Sequence, residues 1–262
     1  MSDWTKKLFI QRADLFLKLL NQRWLKTEEL VNGMAKVLSS LGIDQGKLLD
    51  LSCGNGRISI NLAKRGFRAV GVDISEPFLK DARKKAEEHG VSRLVTFIEG
   101  DVRSLKNVVG RKHDSFDVVV SAWTSIGFYS EEDDFDVFRQ ARELSRKGTI
   151  LFITETMHTE YLSIKFAPTS YTELGDDMLM LEDRKYDPTS GRMRTAWLFY
   201  EKRGQDLHFV DRVDLDHRVY SLSELCFLLR KAGWEILAHY GSLSTLQPMT
   251  PLTHMNIVGR AQ

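Results

Sequence analysis

The segment that decides the fold is LLDLSCGNGRISINLAKRGFRAVGVDIS, which runs from Leu48 to Ser75. An apolar run leads into a turn with two glycines, Gly54 and Gly56, and a helical pattern follows before a second apolar run ends at Asp73. In an open parallel sheet, ligands bind beyond the carboxyl ends of the strands. We therefore expect the glycine turn and the carboxylate to lie together at one ligand-binding edge.

The residue types in this segment fit a nucleoside ligand. The two glycines let the backbone approach a ligand without a Cβ in the way, and the carboxylate of Asp73 can accept hydrogen bonds from two ribose hydroxyls. A dinucleotide fingerprint would place a third glycine at Ser59, and no phosphate-binding GK[ST] motif follows. Asp50, near the end of the first run, would repel a pyrophosphate and suit a cationic amino group. The segment therefore predicts a nucleoside that carries positive charge.

Short apolar runs alternate with helical patterns along much of the chain. The predicted strands are Lys47–Ser52, Phe67–Val72, Leu94–Ile98, Phe116–Val120, Thr149–Thr154, Trp234–Tyr240 and Met255–Arg260. The predicted helices between them are Gly56–Arg65, Glu76–His89, Glu131–Arg146 and Leu222–Ala232. This alternation predicts an α/β fold with a doubly wound, mostly parallel sheet.

Two segments interrupt that alternation. Residues 1–41 have apolar side chains at helical spacing and predict two amphipathic helices, which could close over a site as a lid. Residues 161–219 are polar and alternating, with a DPTSG turn at Asp187–Gly191, and predict an inserted antiparallel cap of three strands. Residues 42–160 and 220–262 are left as the core domain.

Composition excludes several classes of protein. The chain has 262 residues and a net charge of +1, so it lacks the overall basic field that nucleic-acid binding usually recruits. The two cysteines, Cys53 and Cys226, have neither metal-type spacing nor a disulfide framework, which suits a reducing cytoplasm. No apolar run is long enough to span a membrane, and the charged start is unlike a signal peptide. We expect a cytoplasmic protein without a metal or membrane association.

Several motifs together resemble class I S-adenosylmethionine-dependent methyltransferases. LLDLSCGNG resembles their first motif, VGVDIS their second, EGDVRSL (Glu99–Leu105) their third, and FDVVVSAWTSIGFY (Phe116–Tyr129) their fourth strand and the following loop. ELSRKGTILFI is similar to a later motif, although Lys147 and Gly148 stand where Pro-Gly-Gly is usual. The resemblance implies a Rossmann-like sheet of seven strands whose last strand, Met255–Arg260, is antiparallel. It implies S-adenosylmethionine as cofactor and S-adenosylhomocysteine as product.

The resemblance also implies positions for the cofactor and the substrate. Its cofactor-binding set is Asp50, Leu51, Ser52, Cys53, Gly54, Gly56, Arg57, Asp73, Ile74, Asp101, Val102, Arg103, Ser121 and Ala122. Its substrate-facing set is Trp123, Thr124, Ser125 and Tyr129, in a loop similar to that of some small-molecule methyltransferases, including amino-sugar N-methyltransferases. The catalytic residue stays unknown, with Tyr129, His158 and Tyr161 as candidates for a base or an orienting group. Core packing of the aromatic side chains and a surface position for His158 stay open as alternatives.

Three functions fit this sequence. The first is methyl transfer to a nitrogen or oxygen atom of a small molecule, because a cap would enclose the site. The second is methylation of tRNA or protein, which a cluster of Lys6, Lys7, Arg12, Lys18, Arg23 and Lys26 beside the site would favour. The third is a non-catalytic scaffold subunit, against which the intact acids and glycines of the motifs count. The acceptor and the oligomeric state stay open.

Overall fold

The structure is a computed structural model that describes residues 3–110, 115–123 and 125–262. Within these ranges, eight strands form the main sheet: β1 (Lys47–Leu51), β2 (Arg68–Asp73), β3 (Val95–Glu99), β4 (Phe116–Ala122), β5 (Ser145–Thr156), β10 (Trp234–Ser242), β11 (Gln247–Pro248) and β12 (Met255–Ala261). Four more strands form a second sheet: β6 (Thr169–Glu173), β7 (Met178–Asp187), β8 (Arg192–Arg203) and β9 (Asp206–Arg218).

The main sheet has the order β11-β10-β12-β5-β4-β1-β2-β3. Strands β3, β2, β1, β4 and β5 pair in parallel, and β12 is antiparallel to both β5 and β10. The predicted Rossmann-like α/β sheet with an antiparallel last strand is confirmed. The two-residue β11 adds an eighth strand at the edge, because Gln247 and Pro248 pair with the end of β10. The strand order reverses at β1 and β4, which is the usual position of a ligand crevice.

The helices of the core cover both faces of the sheet. They are α3 (Thr27–Ser40), α4 (Arg57–Ala63), α5 (Glu76–Glu88), α6 (Leu105–Val109), α7 (Glu131–Glu143) and α9 (Leu222–Lys231). Alternate residues of β1 divide between the faces, since Leu48 packs with α3 and α4 while Leu49 packs with α6, α7 and α9. Strands buried on both faces are expected to carry continuous apolar runs, as β4 does at Val118–Val120 and β5 does at Ile150–Ile153.

The second sheet lies in the predicted insertion, with the order β6-β7-β8-β9. It has four strands instead of three, because Thr169–Glu173 adds an edge strand beside β7. Only alternate residues of this short polar strand are half-buried, so its sequence has no apolar run. A short helix, α8 (Thr159–Lys165), connects β5 to this sheet.

The N-terminal segment packs mainly against the second sheet. It comprises α1 (Asp3–Lys6), a π-helical turn (Lys7–Gln11) and α2 (Ala13–Trp24). Leu8 and Leu19 share one buried cluster with Phe199 and Leu215 of the second sheet. Helix α3 instead contributes to the core of the main sheet. Among the described residues, no helix is both long and apolar enough to cross a membrane.

Candidate active site

Three carboxylates meet at the carboxyl edge of the main sheet. Asp50 lies in β1, Asp73 ends β2, and Asp101 follows β3. All three line one cleft. Their convergence follows from the parallel pairing of the three strands, which brings the carboxyl ends to one side.

Asp73 is held by backbone donors of the glycine turn. Its Oδ2 accepts a hydrogen bond from Gly54 N at 2.8 Å, and its Oδ1 accepts one from Ser75 N at 3.0 Å. Burial raises the pKa of Asp73 to about 6, although these backbone hydrogen bonds act in the opposite direction. Among the described residues, Asp73 has no cationic side chain in an ion pair, so a positively charged group in the cleft would stabilise its ionised form.

Asp50 is a second buried carboxylate with a polar but uncharged partner. Its Oδ2 accepts hydrogen bonds from Ser59 Oγ at 2.7 Å and from Ser59 N at 3.2 Å. Burial raises the pKa of Asp50 to about 6, opposed by the Ser59 hydrogen bonds and the charge of Arg57. Ser59, which replaces the third glycine of a dinucleotide fingerprint, therefore anchors an acid of the cleft.

Asp101 differs because it has a direct cationic partner. Arg103 donates from Nη2 to Asp101 Oδ2 at 2.6 Å, and its guanidinium lies 4.0 Å from the centre of the Tyr129 ring. Burial alone would raise the pKa of Asp101, but the hydrogen bonds and charge of Arg103 lower it below its ordinary value. Asp101 is thus ionised at neutral pH and fixed beside Tyr129.

The glycine turn has no room for larger residues. Gly54 and Gly56 have φ values of 56° and 73°, in the left-handed region that favours glycine. A Cβ on Gly56 would lie 2.7 Å from the Phe97 ring, and one on Gly54 would lie 3.2 Å from Leu20. Glycine at these positions therefore permits both the turn and its close packing beside the cleft.

At this edge of the sheet, three residues other than glycine also have positive φ values at or near the ends of strands. Ser52 follows β1 with φ 53°, Trp123 follows β4 with φ 52°, and Glu155 lies near the end of β5 with φ 54°. Such conformations cost about 1–3 kcal/mol each for residues with a side chain, and they concentrate at functional sites. Their recurrence at neighbouring strand ends marks this edge as specialised.

Most of the predicted cofactor-binding residues line the cleft. Its walls include Asp50, Leu51, Ser52, Cys53, Gly54, Arg57, Asp73, Ile74, Asp101, Val102, Ser121 and Ala122. Gly56 and Arg103 are not part of the lining, because Gly56 shapes the turn and Arg103 supports Asp101 from beside it. The cleft is also lined by Trp123, Ser125 and Tyr129, and Thr124 lies outside the described residues.

A larger chamber of about 610 Å³ lies between the core, the N-terminal helices and the inner face of the second sheet. It meets the carboxylate-lined cleft at five residues that line both spaces. These junction residues are Phe9, Phe16, Arg57, Trp123 and Phe128. Phe16 stacks on Trp123 of the core, with ring centres 5.5 Å apart, and on Trp197 of β8, with ring centres 6.0 Å apart. The chamber and the cleft therefore adjoin at these mostly aromatic side chains.

Two of the three catalytic candidates lie elsewhere. His158 is fully buried at the start of α8, where its Nε2 lies 2.7 Å from the Thr253 carbonyl oxygen and its Nδ1 accepts from Tyr161 N at 3.3 Å. Tyr161 packs near Met193 and stacks on His254. Neither His158 nor Tyr161 lines the cleft or the chamber. Of the three candidates, only Tyr129 lines the cleft.

Several residues of the site are absent from the sequence prediction. Glu155 pairs with Arg57 and Arg23, and Phe16 fills the junction. The chamber wall also includes Trp197 and His217 from the second sheet. These contacts join residues far apart in the chain, and no local motif marks them. The one available signal was the position of Glu155 at a strand end on the ligand edge.

Comparison with known proteins agrees with this geometry. A family model described as a methyltransferase domain matches residues 44–190. A putative methyltransferase of Bacillus subtilis, YqeM, is 32% identical over 198 residues, covering 74% of this chain and 75% of that protein.

Two solved structures show the fold over nearly the whole chain. An S-adenosylmethionine-dependent methyltransferase from Clostridium acetobutylicum has a TM-score of 0.75 at 14% identity, covering 96% of this chain and 98% of that one. The sugar N-methyltransferase KedS8 from a Streptoalloteichus species has a TM-score of 0.70 at 15% identity, covering 95% and 92%. The chain therefore belongs to the methyltransferase-domain family and is an enzyme with the class I fold of S-adenosylmethionine-dependent methyltransferases.

Proposed function

We propose that this enzyme transfers a methyl group from S-adenosylmethionine to a nitrogen or oxygen atom of a small molecule bound in the chamber. The observation that carries this proposal is the junction: a carboxylate-lined cleft meets a chamber of about 610 Å³ at five shared residues. Cavities of about 300–1,000 Å³ are typical of small-molecule sites.

The residues of the cleft fit the cofactor. Buried carboxylates at Asp50 and Asp73, neither with a direct cationic partner among the described residues, suit a ligand that carries positive charge. Asp73 would accept hydrogen bonds from ribose hydroxyls, Asp50 and Gly54 would face the methionine part, and Asp101 with Val102 would frame the adenine. When bound, the cofactor supplies an electrophilic methyl group on a positively charged sulfur.

The chain itself contributes orientation and exclusion of water. The junction is aromatic except for Arg57, and an arginine stays protonated at neutral pH. Among these shared residues there is no base, so the acceptor atom would arrive with its lone pair free. Alignment of the acceptor beside the cleft is then the main catalytic contribution.

The proposal also assigns a role to each predicted domain of the chain. Of the predicted lid at residues 1–41, the part before α3 would act as the lid, because α3 packs in the core of the main sheet. Residues 161–219 would act as the cap, and the remainder as the core. Phe16 of α2 stands between the core and the second sheet at the junction. In this role α2 would move as the acceptor enters, as active-site lids do on microsecond to millisecond timescales.

Several observations favour a small acceptor over tRNA or protein. Of the six basic residues that would have to cluster for RNA binding, four pair with carboxylates: Lys7 and Arg12 with Asp211, Lys18 with Asp177, and Arg23 with Glu155. These pairs connect the segment to neighbouring elements and reduce the positive charge that is available to RNA phosphates. A structural relative, KedS8, is a sugar N-methyltransferase, which also supports a small acceptor.

The test uses radiolabelled S-adenosylmethionine with the purified chain. Separate reactions receive bulk tRNA, denatured cellular protein, or a metabolite extract filtered through a membrane with a cut-off of about 1 kDa. The label transferred to each acceptor is counted after fractionation. Label in the small-molecule fraction supports the proposal. Label confined to tRNA or protein contradicts it, and the absence of cofactor binding by calorimetry would favour the scaffold alternative.

A further inference from the structure

The chamber wall contains a cluster in which one carboxylate faces two guanidinium groups. Arg57 Nη2 lies 2.8 Å from Glu155 Oε2, and Arg23 Nη1 lies 3.2 Å from Glu155 Oε1. The Arg57 side chain is only 6% exposed. Glu155 is held in place because its backbone N–H donates to Asn256 Oδ1 at 2.9 Å. One negative charge thus stands between two positive charges, and the cluster keeps an excess of one positive charge.

Lys26 adds a third cation to the chamber wall. It lines the chamber, and among the described residues it has no carboxylate in an ion pair. The opposite wall is balanced, since Glu182 pairs with Arg184 at 2.5 Å and accepts a hydrogen bond from Trp197 Nε1 at 3.0 Å. Four cations against two carboxylates therefore leave the described chamber wall with a formal charge of +2.

The two histidines of the wall do not offset this charge. Burial lowers the pKa of His217 to about 4, and the charges of Arg192 and Arg184 lower it further. Burial also lowers the pKa of His254, with Arg23 acting in the same direction and Glu155 in the opposite one. Both imidazoles are thus neutral at pH 7 and add no charge to the chamber wall.

The Arg23–Glu155–Arg57 cluster lies next to the junction between the cleft and the chamber. Arg57 lines both spaces, and the guanidinium of Arg23 lies 4.1 Å from the centre of the Trp123 ring. Partly buried cations without full compensation favour an anionic ligand, and a guanidinium matches the planar geometry of carboxylate and phosphate oxygens. A ligand anchored here would hold its remaining atoms beside the aromatic junction.

We propose that Arg23, Lys26 and Arg57 form an anion-binding subsite, so that the methyl acceptor is a small molecule bearing a carboxylate or phosphate group. This inference rests on the proposed function, because it takes the chamber as the acceptor site. The anionic group would bind at the Arg23–Arg57 corner and orient the nucleophilic atom toward the cleft. Arg57 would also couple this subsite to the cofactor side, since it belongs to both walls.

The test begins with binding of S-adenosylhomocysteine to the full chain by calorimetry. Saturable binding of S-adenosylhomocysteine is consistent with the proposed function. Absence of binding contradicts the proposed function, whether or not the anion-binding subsite exists. The protein saturated with S-adenosylhomocysteine is then titrated with pyrophosphate and, separately, with succinate in a chloride-free buffer of low ionic strength. Tighter binding of pyrophosphate assigns a phosphate-bearing acceptor, and tighter binding of succinate assigns a carboxylate-bearing one.

Substitutions then locate the bound anion. Arg23→Gln with Lys26→Gln is expected to weaken anion binding about tenfold or more, since hydrogen bonds to charged groups are the stronger class. Affinity for S-adenosylhomocysteine should stay within about twofold, because neither residue lines the cleft. Lys26→Gln alone keeps the Arg23–Glu155 pair intact and serves if the double variant fails to fold. Lys36→Gln, an exposed position on α3 outside the chamber, is the matched control.

Three outcomes would overturn the subsite while leaving the proposed function in place. They are no saturable binding of either anion by the wild-type chain, equal anion affinity in the wild type and the folded variants, and an equal loss in Lys36→Gln. The last result would show a general effect of net charge instead of a local site.

Discussion

The Tyr220 hydroxyl donates a hydrogen bond to Asp134 Oδ2 at 2.7 Å, and this pair connects the end of the second sheet to the loop beside the cleft. The same carboxylate accepts hydrogen bonds from Gly127 N at 3.2 and 3.0 Å. Arg218, the last residue of β9, donates from its backbone N to Gly127 O at 2.7 Å. The position of the loop after β4 therefore depends on Asp134 and on the residues that follow the cap.

Replacement of Tyr220 by Phe is expected to lower the free energy of unfolding by about 1–3 kcal/mol, because a buried carboxylate loses a hydrogen-bond donor. Burial already raises the pKa of Asp134 to about 6, and the Tyr220 hydroxyl acts against that shift. Urea denaturation at pH 7 measures the change. Tyr171→Phe is the control, since Tyr171 is 70% exposed and should change stability by less than about 0.5 kcal/mol. Equal effects of the two substitutions would contradict the assigned role of Tyr220.

Gly127→Ala tests the close approach between the loop and the end of the cap. Gly127 has φ 86°, and a Cβ there would overlap the carbonyl oxygen of Arg218. Gly204, in the turn between β8 and β9, also has a positive φ of 64°, but a Cβ there would meet nothing within 4 Å. Alanine at Gly204 should therefore cost about 1–2 kcal/mol from backbone strain alone, and alanine at Gly127 should cost more.

Thermal unfolding of the two glycine variants provides the comparison. A lower melting temperature for Gly127→Ala than for Gly204→Ala is the expected order. The same melting temperature in both variants would mean that the loop can move away from Arg218 at little cost, which would contradict a rigid connection between the loop and the cap.

Asp73→Asn tests the ribose-binding role proposed for the end of β2. Asparagine keeps the shape of the side chain but replaces one acceptor oxygen and removes the charge. A hydrogen bond to a charged group contributes about 1.5–3 kcal/mol, so the dissociation constant for S-adenosylhomocysteine should rise by about 10- to 150-fold. Calorimetric titration measures it. Asp44→Asn, at an exposed position before β1, should bind as the wild type does, and unchanged affinity in Asp73→Asn would remove the ribose role.

The sequence predicted the fold and the cleft because both depend on local signals. Short apolar runs separated by helical patterns identify parallel strands, and acids at the ends of three such strands must share one edge. Asp50, Asp73 and Asp101 could therefore be placed together without knowledge of the helices that pack around them. The glycine turn was recognisable for the same reason, since its spacing directly follows the first strand.

The chamber could not be predicted in this way because its contacts are distant in the chain. Arg23 and Glu155 are separated by 132 positions, and no pattern near either residue indicates the other. The polar strand β6 was missed because only alternate residues of it are half-buried. His158 was considered as a base because it follows a strand. Its burial and the hydrogen bonds of both ring nitrogens depend on tertiary packing, which the local sequence does not indicate.

The packing of α2 on the second sheet limits how the role of the cap can be tested. Residues of α2 share a buried cluster with Met180, Phe199 and Leu215 of the second sheet. Removal of residues 177–216 would expose that cluster to water, at about 1.5–3 kcal/mol for each large side chain. Point substitutions are therefore better suited than a deletion to separate the role of the cap from the stability of the chain.

Cofactor affinity is expected to depend on pH through Asp50 and Asp73. Burial raises the pKa of each carboxyl to about 6, so both are largely ionised at pH 7.5 and largely protonated at pH 5. A cationic ligand favours the ionised forms, and its binding is then coupled to proton release near pH 6. Affinity for S-adenosylmethionine should therefore fall as the pH is lowered from 7.5 to 5, by up to about tenfold per pH unit for each protonated carboxyl.

Calorimetric titrations across this pH range, repeated in buffers with different ionisation enthalpies, measure both the affinity and the protons released. S-adenosylhomocysteine lacks the sulfonium charge and should show a shallower dependence than S-adenosylmethionine. Asp73→Asn removes one titrating group, so its slope should be shallower than that of the wild type, while Asp44→Asn should follow the wild type. Affinity that does not change between pH 7.5 and 5 would mean that neither buried carboxylate contributes to cofactor binding through its ionised form.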